Sequence, residues 1–431
     1  MPATTLAWRP LNVAIVGGGI GGLAAAVALR REGHACTIYE RRSAAGEVGA
    51  SLSCAANGAR WLKAWDVDTA AGKPVTLLKL TMREWQSGDV RAEYDLKGYK
   101  SEWGCEYAMY HRQDMHAMLL DAATSPDGAG PPAKLLTGYT LVSLDAAAGS
   151  ASFANGEHIS ADMIIGSDGI PPALRSALGI VPDSRPAPQT CYRCNVSREE
   201  VEALGLAWAN DPAIQFWGGY PGVPGLSQIV MSPCAGGEIL SFYCFMPTEQ
   251  SNHHEEGFTW GEAAIDDLLA GQYATLDPRV VTLLRASIER RPWVLFVHQP
   301  YPFWSQGRAT LLGDAAHPMM PHQSQGACQA LEDAAALGLI FSRKHAEAGL
   351  TTDIVKGLAL YEQVRKPRAT KVQDASARAL EDLNERIGFS SLAPNEPAGR
   401  KDKLTVAEMN RYDMAADIDE RVAALLQAAA A

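Results

Sequence analysis

No stretch of this chain is apolar for the length that a membrane-spanning helix needs. The segment Met1 to Pro10 has no apolar core of the kind a secretion signal carries. Excess positive charge is also missing. The 38 Lys and Arg against 49 Asp and Glu give a net charge of -11. That balance argues against nucleic acid and anionic membrane surfaces as partners, though not against a small anionic substrate, whose binding depends on local charge. The 8 cysteines have no disulfide-framework spacing, which predicts a reduced, cytoplasmic protein. Cys191-x-x-Cys194 has no second pair, so zinc or thiol redox chemistry is disfavoured. There is no internal repeat, and low complexity is confined to Ala428–Ala431, a terminus expected to fray.

What is present begins at Leu11. With 431 residues, 47% of them hydrophobic, the chain suggests two domains with a large core. Val13 to Val16 is an apolar run of strand length. Gly17, Gly19 and Gly22 follow at G-x-G-x-x-G spacing. Leu23 to Arg31 is an Ala-rich helical segment, Gly33 ends it, and Cys36 to Tyr39 reads as a second strand closed by Glu40. This pattern fits a dinucleotide. Gly17 makes a tight turn, Gly19 admits the pyrophosphate, Gly22 packs helix on strand, and the carboxylate takes a ribose hydroxyl. The motif by itself does not separate FAD from NAD.

Further along, Asn57 to Trp65 and Gln113 to Ala122 read as helices. Leu77 to Trp85 and Val90 to Asp95 read as strands joined by Ser87-Gly88-Asp89. Met163-Ile164-Ile165 and Thr310-Leu311-Leu312 are buried-strand runs ending in Gly166-Ser167-Asp168-Gly169 and Gly313-Asp314. Gln189 to Val297 is rich in strand-like pieces, with a helical break at Trp260 to Gly271. Ala327 to Ser342 is a long apolar helix, and Leu358 to Asn384 a more polar one. The organisation is a nucleotide-binding fold split by inserts, with a β-rich second domain and a helical C-terminus.

Three segments stand together: the glycine fingerprint, Asp168-Gly169, and GRATLLGDAAHPMMPHQSQGACQALEDA from Gly307 to Ala334. With EVGASLSCAANG (Glu47 to Gly58) and YHRQDMHAML (Tyr110 to Leu119), they resemble the single-component flavoprotein monooxygenases. Within these, the aromatic hydroxylases of the salicylate hydroxylase-like group are the most similar. The resemblance covers nearly the whole chain. It implies an α/β fold: a Rossmann-type FAD-binding domain (residues 1–75, 105–185 and 296–342) interleaved with a β-sheet substrate domain (76–104 and 186–295), then C-terminal helices (343–431).

The resemblance also assigns roles. Glu40 holds the adenosine ribose, with Arg41 and Ala50 beside the cofactor, and Arg112 reaches the FAD. Asp168 lies in a segment used for FAD and for transient NAD(P)H contact. Gly313 and Asp314 meet the ribityl chain, and Pro318 and Pro321 line the flavin face. Gly326 and Ala327 present backbone N–H groups to the flavin pyrimidine edge, where a helix N-terminus favours the negative charge of reduced flavin. The chain departs from the family in three places. Pro171-Pro172 replaces a common His-Ser, and Ser324 stands at a usual glycine. Ser227 to Pro233 lacks the His that serves relatives as base. Arg193, Tyr220 and Tyr243 are the candidates left to activate the substrate.

The blander readings are concrete. Asp168 and Asp314 can be helix caps. Arg193 can be a solvated strand residue, His317 and His298 structural, and His253-His254 an exposed loop pair. The implied function is hydroxylation of a phenolic aromatic substrate by FAD, NADH or NADPH, and O₂ through a flavin C4a-hydroperoxide, with or without decarboxylation, in a monomer or homodimer. Salicylate, a hydroxynicotinate, a polyketide phenol and an indole all remain open as substrates. The alternatives are a nucleotide-binding redox sensor without oxygenation, and an isoprenoid reductase or flavin halogenase on the same fold. The W-x-W-x-I-P signature of the halogenases is absent.

Overall fold

The computed structural model describes residues 8–42, 49–170, 173–220, 227–248, 264–391 and 403–430. Glu47, Pro171-Pro172 and His253-His254, named in the sequence, lie outside them. The first strand, β1 (Asn12–Val16), leads into helix α1 (Ile20–Arg31) and strand β2 (Ala35–Glu40). β1 is the centre of a 6-stranded sheet. Its order is Ser305–Gln306, Ala309–Leu311, Met163–Gly166, β1, β2, Lys134–Thr137, parallel except for the Ser305–Gln306 edge. Parallel strands buried on both faces read as continuous apolar runs rather than alternations. That is why Met163 to Ile165, all at 0% exposure, were legible as a strand.

The second sheet has 7 strands, in the order Ile288–His298, Ser184–Ser197, Ile239–Pro247, Gln228–Cys234, Ala213–Gly218, Lys79–Arg83, Val90–Asp95. It is antiparallel except where Ala213–Gly218 pairs with Lys79–Arg83. Alternation along these strands gives it two faces. Tyr192, Cys194, Phe242 and Cys244 face a cluster under the Pro278–Arg285 helix; Cys191, Tyr243 and Phe245 face the other sheet. All 8 cysteines are buried and free.

The α-helical layer rests on small residues. α1 packs on the Gly326–Ile340 helix, and an added Cβ at Gly338 would sit 3.1 Å from Ala28 Cβ. The Ile354–Ala379 helix lies behind, and residues 383–391 then return toward the second sheet, where Phe389 meets Phe216 edge-on at 5.5 Å. Helical breaks fall close to expectation: Ala264–Ala270 within the expected Trp260 to Gly271, and Arg112–Thr124 over Gln113 to Ala122. Among the described residues, no helix is long and apolar enough to cross a membrane.

Candidate active site

The carboxyl ends of three parallel strands meet the inner face of the 7-stranded sheet around a cavity of about 340 Å³. Gly19 to Gly21 follow β1, Ser167 and Gly169 follow Met163–Gly166, and Leu312 to Asp314 follow Ala309–Leu311; all of these reach the wall, whereas Asp168 does not. Ligands in open α/β sheets bind at such a crevice.

The glycine turn is shaped by contacts. Gly17 has φ +109°, and a Cβ there would lie 2.4 Å from the Ser167 carbonyl oxygen. A Cβ on Gly22 would lie 2.1 Å from the Gly17 carbonyl oxygen, so helix and strand touch. Nothing lies within 4 Å of a Cβ on Gly19, which faces open space. Glu40 stands at the turn's flank: its carboxylate accepts the Gly18 N–H (2.7 Å) and the Arg42 N–H (2.9 Å). Glu40, Arg41, Gly17 and Gly22 are behind the wall rather than on it. The Ala50 carbonyl accepts the Arg112 N–H at 2.9 Å, fixing the start of the helix that brings Arg112 to the cavity.

Two helices aim their N-termini here. α1 begins at Gly19 and the Gly326–Ile340 helix at Gln325, neither with a side-chain cap nor an acidic residue in its first turn. Uncapped first-turn N–H groups carry partial positive charge and suit anions. Gly19 to Gly21 and Gly326–Ala327 line one cavity. These residues fit FAD: a pyrophosphate end, a flavin pyrimidine edge, and between them Asp314, exposed on the cavity wall.

A buried ion network underlies Asp314. Asp333 accepts the Gly313 N–H (2.9 Å), His317 Nε2 (2.6 Å) and Arg365 Nε (2.8 Å). Glu332 takes Arg365 (2.6 Å), Arg368 (2.6 Å) and Asn57 (2.7 Å). Burial raises both carboxyls; Arg365 with Arg368 on Glu332, and His317 with Arg365 on Asp333, outweigh it and hold both below the usual carboxylate range. His317 thus serves the loop as a structural partner.

The sheet side of the cavity is mostly apolar: Ile214, Phe216, Val230, Phe245 and Leu295, with Gln228 and Ser232 as polar interruptions. Pro318 and Pro321 line it from the motif side. Tyr243 reaches the wall, and its hydroxyl donates to the Ser51 carbonyl at 2.5 Å. Arg193 does not. It faces the cavity side of its strand, as alternation predicts, but sits behind Trp293, 3.5 Å from that ring centroid; burial lowers its pKa. Tyr220 is off the wall altogether. Its hydroxyl accepts the Trp85 N–H (2.9 Å) and donates toward Glu84 (3.2 Å), under the Arg91 guanidinium at 4.0 Å. Asp168 also turns away, taking the Leu174 N–H at 3.1 Å to cap the Ala173–Ala177 helix; burial raises its carboxyl.

His298, weighed in the sequence as structural or as facing the substrate, reaches the wall; His322 and Arg386 also line it and carry no sequence expectation. His322 lies within Pro321-His322-Gln323, inside the motif that signals the flavin loop, so its place was within reach of the sequence. It tilts against Phe245 at 4.8 Å, and burial, then Arg386, pushes its pKa down to about 3. Arg386 follows no motif. Gln323 brings it in, donating to the Ala375 (3.1 Å) and Glu385 (2.8 Å) carbonyls and accepting the Ile387 N–H (2.7 Å).

Known proteins identify the family. The FAD binding domain family matches residues 10–376. The chain is 33% identical to the FAD-dependent monooxygenase cfoG of Aspergillus candidus, over 94% of this chain and 96% of that protein. It is 31% identical to 6-hydroxynicotinate 3-monooxygenase of Pseudomonas fluorescens, over 85% and 90%. A solved salicylate hydroxylase substrate complex shares the fold, with TM-score 0.71 at 24% identity over 96% of this chain and 98% of that one. The chain therefore belongs to the FAD binding domain family and is an FAD-dependent monooxygenase of the aromatic hydroxylase type.

Proposed function

We propose that the protein hydroxylates a phenolic aromatic substrate with NADH or NADPH and O₂, giving the hydroxylated product, NAD(P)⁺ and water. The observation that carries this reading is the pairing of two walls. Uncapped helix N-termini and Asp314 stand on one side, and Phe216, Val230 and Phe245 stand on the other. FAD, when bound, supplies electron transfer and oxygen activation. The chain supplies the rest. The N–H groups of Gly326 and Ala327 stabilise negative charge at the cofactor's edge. The sheet wall excludes water and holds a flat ring. His322 stays neutral at working pH, and Tyr243 orients through Ser51. A carboxyl at the attacked carbon would leave as CO₂.

Some relatives' names point the same way: 6-hydroxynicotinate and 3-amino-4-hydroxybenzoate are aromatic acids bearing a hydroxyl. The test is NADH consumption by the purified yellow protein with a panel of hydroxylated aromatic acids, followed by product mass. Several-fold stimulation and a mass gain of one oxygen are expected. Oxidation of NADH that no phenol stimulates, with no oxygenated product, defeats the reading and favours a redox sensor.

A further inference from the structure

The cavity wall contains a buried cation without an anion. Arg386 is 1% exposed and lines the cavity. Among the described residues it pairs with no carboxylate. NH1 donates to the Ile387 carbonyl and NH2 to the Ser324 hydroxyl, both at 3.2 Å, and buried Nε has no partner. Its neighbour Glu385 turns away, onto Arg378 (3.3 Å) and Lys403 (4.0 Å). The guanidinium lies 4.6 Å from the Phe216 ring centroid.

Other buried arginines show what satisfaction looks like here. Arg365 sits between Glu332 and Asp333. Arg30, whose Nε is likewise unpartnered, still donates five hydrogen bonds, to the carbonyls of Ala122, Ala123, Ser125, Gly128 and Gly130, where Arg386 donates two. Arg175 also has unpartnered nitrogens, but it is off the cavity wall and has Asp168 in its field. A buried guanidinium that keeps its charge needs a counter-charge, and its fork matches an oxyanion.

We propose that Arg386 is the seat of the substrate's anionic oxygen. A phenolate or carboxylate on an aromatic ring docks against its guanidinium, with the ring over Phe216, Val230 and Phe245. Val230 stands across from Phe216 on one side and Tyr243 on the other, so these residues form one continuous floor. The inference rests on the reading of the protein as a hydroxylase of phenols, and it moves the anion site from Arg193 to the C-terminal segment. The seat adjoins the start of the Gly326–Ile340 helix through Ser324, the residue before Gln325: its carbonyl accepts Ser53 Oγ (3.1 Å) and its hydroxyl accepts Arg386.

The probes are 4-nitrophenol, whose phenolate and phenol forms absorb differently, and benzoate, which carries the anion as a carboxylate. Each is titrated into FAD-loaded enzyme with no NADH present. A guanidinium within about 4–6 Å lowers a bound acid's pKa by about 1–3 units. The wild type is expected to bind 4-nitrophenol with its pKa so lowered. Arg386→Met should lose that shift and bind both anions at least tenfold more weakly, with FAD content unchanged. Arg386→Lys should keep part of the shift, and methylguanidinium should restore binding to Arg386→Ala if the loss is local rather than a failure to fold. The relative strength of the two probes tells phenolate from carboxylate. Failure of the wild type to bind either anion, an unchanged shift in Arg386→Met, or a shift lost on Arg193→Lys and kept in Arg386→Met, overturns the proposal. If NADH oxidation is stimulated by phenols while any of these holds, hydroxylation stands and the anion seat falls. If no phenol stimulates it, the hydroxylase reading falls with it.

Discussion

Arg365→Met tests whether the buried charges under the flavin loop act as one unit. The change removes the guanidinium that bridges Glu332 (2.6 Å) and Asp333 (2.8 Å), all three side chains at 2% exposure or less. Breaking a buried pair from one side typically costs about 3–5 kcal/mol, because the partner is left charged and dry. Glu332 keeps Arg368 and Asn57, and Asp333 keeps His317 and the Gly313 N–H, so the lower end, about 3 kcal/mol, is expected. At roughly 2.1 cal/mol/K of unfolding entropy per residue, a 431-residue chain melting as one unit would lose roughly 3 °C. Because Asp333 also fixes Gly313, next to Asp314, flavin should dissociate more readily. Thermal melts followed by flavin fluorescence, with and without added FAD, measure both effects. A melting temperature within about 1 °C of wild type and unchanged flavin retention would show that the network is redundant.

Asp314→Ala should lower FAD affinity about ten- to a hundred-fold, the loss of one charge-assisted hydrogen bond of about 1.5–3 kcal/mol; flavin content of the purified protein checks it. Glu40→Ala should weaken FAD binding and spare turnover at saturating FAD, since Glu40 flanks the glycine turn behind the cavity wall; a large loss of turnover at saturation counts against it. His322 is held neutral down to about pH 3, whereas in the unfolded chain it gains a proton below about pH 6.5. Its contribution is therefore complete above about pH 6.5 and lost as pH falls toward 3, about 2 kcal/mol by pH 5. His322→Gln should flatten that arm of the pH–stability curve, and an identical acid slope in the variant would refute the assignment.

The glycine turn and the strand ends beside it were legible because their signals are local. Gly17, Gly19 and Gly22 sit where spacing alone placed them, and the two strand runs at Met163 and Thr310 meet β1 or its neighbour. The sheet side of the cavity was not. Alternation put Arg193 on the correct face, but it does not say how far along a strand the cavity extends, and Trp293 takes the place between. Tyr220 follows Gly218 and Gly219, at φ +72° and +71°, which turn the chain out of its strand. Arg386 is placed by contacts across the fold, through Gln323 and Ser324, and no short-range pattern encodes them.

The order of the central sheet bears on how the chain folds as it is made. β1 leaves the ribosome early, yet its sheet requires Met163–Gly166 beside it and then Ala309–Leu311, with Ile164 in register with Ala309. At 5–20 residues per second, the roughly 300 residues between β1 and that last strand take about 15–60 s to emerge. α1 waits longer still for the Gly326–Ile340 helix that covers its alanine face. Until Ala309–Leu311 emerges the apolar strand Met163–Gly166 is without its outer neighbour, a state in which nascent chains aggregate. Added chaperone should therefore raise soluble yield more than any single surface substitution.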